Sequence, residues 1–172
     1  MGKLRAHGDE MITIEAEGFT DKAGLRRFLA RAQAAVGLVG EVHVLLSNDA
    51  AFRRLNRLFR GKDKATDVLS FPAAENAGGG MAGDLAISLE HAARQAAEFE
   101  HTTAEEVRIL LLHGMLHLAG EDHETDDGQM AAREAKLRAE LKLPTGLIER
   151  VHAKAKPVRS AKSVPPKRRR RA

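Results

Sequence analysis

The chain is 172 residues long, 43% hydrophobic and without cysteine, which matches one domain with one core and excludes disulfides, thiolate nucleophiles and cysteine metal sites. No stretch has the length and apolarity of a membrane span, and residues 1–10 are charged where a secretory signal would be apolar, so a soluble, cytoplasmic protein is expected. The formal charge of +4 is uneven: residues 151–172 hold nine of the 28 lysines and arginines and no acid, leaving 19 basic against 24 acidic groups, a net of −5, in residues 1–150. A uniformly basic nucleic-acid-binding body is thereby excluded. Six phenylalanines without tyrosine or tryptophan offer little for a base-stacking platform.

Residues 11–17 alternate apolar and polar, with Ile12, Ile14 and Ala16 on one side, as a half-buried strand does. Thr20 or Asp21 then caps a helix running to about residue 36, with Leu25, Phe28, Leu29 and Ala32 on one face, and Gly37 and Gly40 end it. A second strand is expected over 42–47 and a second helix over about 50–59. Residues 61–83 loosen into a connection that contains a short strand-like run, 68–71, stopped by Pro72, and a flexible stretch at 76–80. That glycine run lacks the Lys-Ser or Lys-Thr of a phosphate-binding P-loop. A strand over 84–89 and a helix over 90–100 follow, and Thr103-Ala104-Glu105-Glu106 reads as a capping box opening the next helix. With Val107, Ile109, Leu110, Leu111, Leu112, Met115, Leu116 and Leu118, this helix is apolar almost all round, which marks it as buried in the middle of the domain. Gly120 ends it, a last helix spans about 127–141, and beyond residue 150 the Lys, Arg, Pro and Ser content suggests a disordered tail.

Three of the eight histidines fall within His113-Gly114-Met115-Leu116-His117-Leu118-Ala119-Gly120-Glu121-Asp122-His123. A four-residue interval puts His113 and His117 on one helix face, one turn apart. Gly120 lets the chain turn and bring His123 back to the same point. Three neutral imidazoles that leave a fourth position open make a catalytic type of zinc site. Histidines left unligated in so apolar a helix would carry a desolvation cost of about 1–3 kcal/mol for each unpaired group. The spacing H-x-x-x-H-x-x-G-x-x-H equals that of the metzincin peptidases, except that Gly114 stands where their general-base glutamate would be. Without that carboxylate amide hydrolysis is disfavoured, and phosphodiester hydrolysis fits the residues better.

The segment from His113 to His123 resembles the H-G-x-L-H-L-x-G-x-D-H signature of the YbeY family of bacterial ribosomal RNA maturation factors, described as zinc-dependent endoribonucleases. Asn56, Arg60 and Thr66-Asp67-Val68-Leu69-Ser70-Phe71-Pro72 resemble the family's upstream block. Gly83-Asp84-Leu85-Ala86-Ile87-Ser88 resembles its glycine-aspartate strand, and Met130 and Glu134 fall where its last helix has similar residues. The resemblance covers about residues 10–145. It implies an α+β fold, a single compact domain over 1–150 in which a small mixed sheet is flanked by helices and a buried helix carries the histidines, followed by the basic tail, 151–172.

The resemblance further implies that His113, His117 and His123 hold one zinc ion per chain and that Arg60 is a catalytic residue. A planar guanidinium suits bidentate contact with phosphate; read from the residues alone, Arg60 is rather the solvated end of a basic helix with Arg53, Arg54 and Arg57, and it is the resemblance that reverses this. The implied activity is cleavage of single-stranded RNA in maturation of the 16S ribosomal RNA 3′ end and in late ribosome quality control. The implied partners are ribosomal RNA and ribosomal particles, with ribosomal proteins as further candidates, and no membrane. Water and the ribose 2′-hydroxyl both remain open as the nucleophile. The rivals are a non-catalytic ribosome-assembly factor with structural zinc and a metallopeptidase. Asp122 reads either as a carboxylate orienting a ligand histidine or as a surface residue. Asp67, Ser70 and Asp84 read as organisers of turns and strand ends, His43, His91 and His101 as surface residues, and the tail as an arm adding affinity for RNA.

Overall fold

Alternation of period 2 and period 3.6 along the chain resolves into four strands and five helices among the residues that the computed structural model describes, 12–61, 67–74 and 80–144. In order these are β1 (Ile12–Ile14), α1 (Lys22–Val36), β2 (Glu41–Ser47), α2 (Asp49–Arg60), β3 (Val68–Pro72), β4 (Met81–Ser88), α3 (Leu89–Glu98), α4 (Thr103–Leu118) and α5 (Gln129–Glu140). Thr66, residues 76–79 of the glycine-rich stretch and the basic tail lie outside the described residues.

The strands form one mixed sheet in the order β1-β2-β4-β3. β1, β2 and β4 run parallel, and β3 pairs antiparallel with β4 as an edge strand. The mixed sheet with flanking helices is the α+β arrangement expected. β2 shows how the sheet divides the core: Val42, Val44 and Leu46 are buried in the main cluster, while Leu45 turns to the opposite face and packs with Leu55, Phe71 and the buried Phe52, Leu69 and Ala86. The second face belongs to α2. The main cluster joins the first face to α1, α3, α4 and α5.

β1 is shorter than the sequence suggests, ending at Ile14, and three further differences have a local cause. β4 begins at Met81, three residues early, because it lies between β2 and β3 and its backbone groups find partners on both sides. α3 begins at Leu89, which was expected to be strand; the Ser88 hydroxyl accepts from the His91 amide and starts the helix there. The capping box of α4 is one residue earlier than expected. Thr102 Oγ1 accepts from the Glu105 amide at 3.1 Å, and Glu105 Oε2 accepts from the Thr102 amide at 2.8 Å. Two consecutive threonines followed by two consecutive glutamates satisfy the motif in either register. Burial decides, because Glu106 points inward, fully buried, and pairs with His101 at 2.5 Å. His101 is therefore not a surface residue; its side chain is only 7% exposed.

α4 is the centre of the fold. From Ile109 to Leu116 every residue is buried, as its all-round apolarity predicts. Its approach to the sheet is tight at Gly114, where a Cβ would stand 2.7 Å from Leu85 Cδ2 and 3.3 Å from both Ser70 Oγ and Val68 Cγ2. Leu85 is itself fully buried and has little room to withdraw. The position where a metzincin carries its glutamate thus faces a packed strand. Gly114→Glu should lower the stability of the protein by about 3 kcal/mol or more, from overpacking and a buried carboxylate together; a denaturant melt with the parent's midpoint would show that β3 is not seated against α4.

Candidate metal centre

The last two turns of α4 carry His113, buried, and His117, half-buried. Two hydrogen bonds then reverse the chain, from the Gly120 amide to the His117 carbonyl at 3.0 Å and from the Glu121 amide to the Leu116 carbonyl at 3.1 Å. Gly120 adopts φ +90°, a left-handed conformation in which a side chain would be strained. Asp122 folds the next turn by accepting from the Glu124 amide at 3.0 Å and from the Thr125 hydroxyl at 3.2 Å. That turn returns His123 to the helix end.

The three rings meet as the spacing predicts. Their centroids lie 4.8, 5.1 and 5.4 Å apart, and one nitrogen from each falls within 4.8 Å of the others. Nitrogens bound about 2.0–2.1 Å from one tetrahedral zinc would stand about 3.3 Å apart; Nε2 of His113 and Nε2 of His117 are already 3.1 Å apart. Nδ1 of His117 lies 2.9 Å from the Glu121 carbonyl oxygen. A carbonyl can only accept, so Nδ1 carries the hydrogen and the lone pair of Nε2 faces the cluster. Burial, followed by the neighbouring His113, lowers the His117 pKa below the ordinary imidazole value of 6.5, which favours the neutral form a metal requires. The donor set fits a single cation of the zinc type.

Two residues of α5 brace the cluster. Glu134 of α5, 1% exposed, places Oε1 3.5 Å from Nδ1 of His113, a buried atom with no closer hydrogen-bond partner. A small shift would complete the carboxylate–histidine pair usual around a metal. Arg133, on the same helix, contacts the Glu121 carboxylate and the Val36 carbonyl, tying the turn to α5 and α1. Asp122, by contrast, spends its carboxylate on its own turn, and the Glu124 amide is the main cause of its lowered pKa. Sequence reasoning weighed Asp122 for the orienting role, named Glu134 only as part of the family resemblance, and overlooked Arg133. The available signal was the placement of Glu134 on the inner face of α5, in step with Met130 and Leu137, all three buried.

The histidines form one end of an open cleft of about 710 Å³ whose other wall is β3 and the end of α2. Arg60, the exposed last residue of α2, lines the same cleft. Ser70 donates to the Gly114 carbonyl at 3.3 Å, and Asp67 Oδ1 accepts from the Val68 amide at 2.8 Å, so both line the cleft while serving local structure. Asp84 stands apart, beside His43 at 3.4 Å. No helix among the described residues is long and apolar enough to cross a membrane.

A mixed sheet backed by a buried helix that ends in three convergent imidazoles defines an α+β protein with a hydrolase-like metal cleft. The family model for Endoribonuclease YbeY matches residues 10–142, and the chain belongs to the YbeY family. Similar relatives are the Endoribonuclease YbeY of Koribacter versatilis, 55% identical with 77% of this chain and 85% of that protein covered, and that of Solibacter usitatus, 54% identical with 85% and 97% covered. Among solved structures, TM1509 from Thermotoga maritima, determined in solution, superposes with a TM-score of 0.52 at 30% identity, over 92% of this chain and all of that one.

Two measurements check the geometry. Glu134→Gln keeps the size of the side chain but removes the charge facing His113, and zinc affinity by competition with a chelator should fall about 10- to 100-fold; an unchanged affinity would remove Glu134 from the site. In metal-free protein, the lowered His117 pKa means that the unfolded chain binds this proton first as the pH falls. The folded state is therefore favoured at and above pH 6.5 and loses stability below it. Melting temperature should drop on acidification through that range, more steeply in the parent than in His117→Ala, and parallel curves would refute the assignment.

Proposed function

We infer that this chain is a zinc-dependent endoribonuclease that cuts single-stranded RNA during ribosomal RNA maturation, at the 16S 3′ end and in ribosome quality control. The observation that carries this reading is the convergence of His113, His117 and His123 on one point at the end of a cleft that Arg60 also lines. The names of the relatives give the substrate class. His113, His117 and His123 would hold the ion, which when bound supplies a Lewis acid and a nucleophile active near neutral pH.

The protein's own groups do the rest. The Glu121 carbonyl keeps His117 in the tautomer that presents Nε2, and Glu134 orients His113. Arg60 binds the phosphate and stabilises the charge that develops on it, a role for which a fixed guanidinium fork is suited. The basic segment 151–172 adds salt-sensitive, sequence-independent affinity for RNA. A peptidase reading is disfavoured, since the packed position of Gly114 leaves no room for the general base that the same spacing carries in metzincins. An assembly factor with structural zinc would require neither an open ligand position nor a cationic group across the cleft.

Cleavage of a labelled single-stranded RNA by metal-quantified protein tests the reading. The parent should hold about one zinc per chain and cut. His117→Ala should lose metal and activity together, whereas Arg60→Ala should keep the metal and lose about a hundredfold or more in kcat/KM, as removal of an oxyanion-stabilising donor does elsewhere. Cutting that persists in His117→Ala would place the activity outside this cleft and leave a structural zinc as the better account.

A further inference from the structure

α2 buries its sheet-facing side through Phe52, Leu55 and Asn56. Helical spacing puts Phe59 next in that stripe, two turns beyond Phe52. β3 is the edge of the sheet, however, and the stripe runs past it. Phe59 consequently remains 65% exposed, one of three large apolar side chains so exposed among the described residues. Its ring meets Phe71 of β3 at 5.1 Å between centroids and 62° between planes, an edge-to-face contact that braces it. The rest of the ring borders the cleft that holds the three histidines and Arg60. A large aromatic surface left in water beside a cationic group and a metal-type cluster has an exposure cost with no return inside the folded chain.

We propose that Phe59, held by Phe71, is a base-stacking subsite: it receives the face of an unpaired nucleobase next to the phosphate bound by Arg60, and so selects single-stranded RNA. This rests on the nuclease reading above and adds the group that recognises the unpaired strand. Charge in the cleft supports the placement. Of the acids that line the cleft, Glu121, Asp122 and Glu124 lie on the side of the histidine turn and Asp67 just before β3, while Arg60 at the end of α2 is the one lysine or arginine among the lining residues. A polyanionic backbone is held toward α2, which brings its bases to Phe59. In a duplex both faces of each internal base are already stacked, so the platform is useful only to an unpaired strand.

The test uses full-length, zinc-loaded protein and a short single-stranded RNA, compared with the same strand carrying abasic positions and with its duplex. Phe59→Leu preserves an apolar side chain and removes the π-face, and Phe59→Trp restores a larger π-face. Stacking predicts that Phe59→Leu raises KM about tenfold to a hundredfold while kcat and melting temperature stay near the parent's, and that Phe59→Trp recovers the affinity. It also predicts that the parent's preference for the intact strand over the abasic strand and the duplex shrinks in Phe59→Leu. A parent that cuts RNA while Phe59→Leu cuts with the parent's KM overturns the subsite and leaves the nuclease reading standing. A parent dimer in sedimentation that Phe59→Leu converts to monomer would assign the ring to a second copy of the chain and likewise overturn it. A parent that neither binds nor cuts the strand removes both readings.

Discussion

The structure depends on one helix that is buried on every side and yet ends in two imidazoles. α4 has no face for water along Ile109–Leu116, so the sheet, α1, α3 and α5 must all pack around it. Polar rings at the end of such a helix need partners. The partners are one another and a backbone carbonyl from the following turn, and a buried glutamate of the next helix faces the remaining nitrogen of His113 at 3.5 Å. The fold and the site are therefore one problem in satisfying polar groups beneath an apolar layer.

The close approach of β3 to α4 is the second half of that solution. Gly114 removes the Cβ that would separate them, and the Ser70 hydroxyl donates across the contact to the Gly114 carbonyl. Because β3 can lie against the helix, its edge becomes a wall of the cleft, and the end of α2 reaches across to face the histidines. The residue that disfavours peptidase chemistry also brings the Arg60 side of the cleft within range of the histidines. Composition alone could not reveal this double role.

Much of this was legible in the residues, for identifiable reasons. The i, i+4 histidines and Gly120 form a local geometry that spacing encodes directly, and the three rings do converge. The apolar stretch of α4 likewise announces its burial. What escaped was non-local or degenerate. The orienting carboxylate comes from α5, eleven residues beyond His123 in sequence, while the nearby Asp122 was the obvious candidate and proved to serve its own turn. The capping box shifted by one because Thr102-Thr103 and Glu105-Glu106 allow two registers, and only the burial of Glu106 against His101 distinguishes them. A count of six phenylalanines argued against an aromatic platform; pairing two of them at one rim depends on where the sheet ends.

The separation of residues along the chain has a consequence for assembly. His113 and His123 are ten positions apart, whereas Arg60 precedes His113 by 53. Closing the longer loop costs about 1.5 kcal/mol more in chain entropy than closing the shorter one. The imidazole cluster accordingly needs only the less costly closure, one helical end and its turn, whereas the wall bearing Arg60 also needs the sheet edge in place. Convergence of the rings and completion of the cleft are therefore separable demands on the chain, one local and one not.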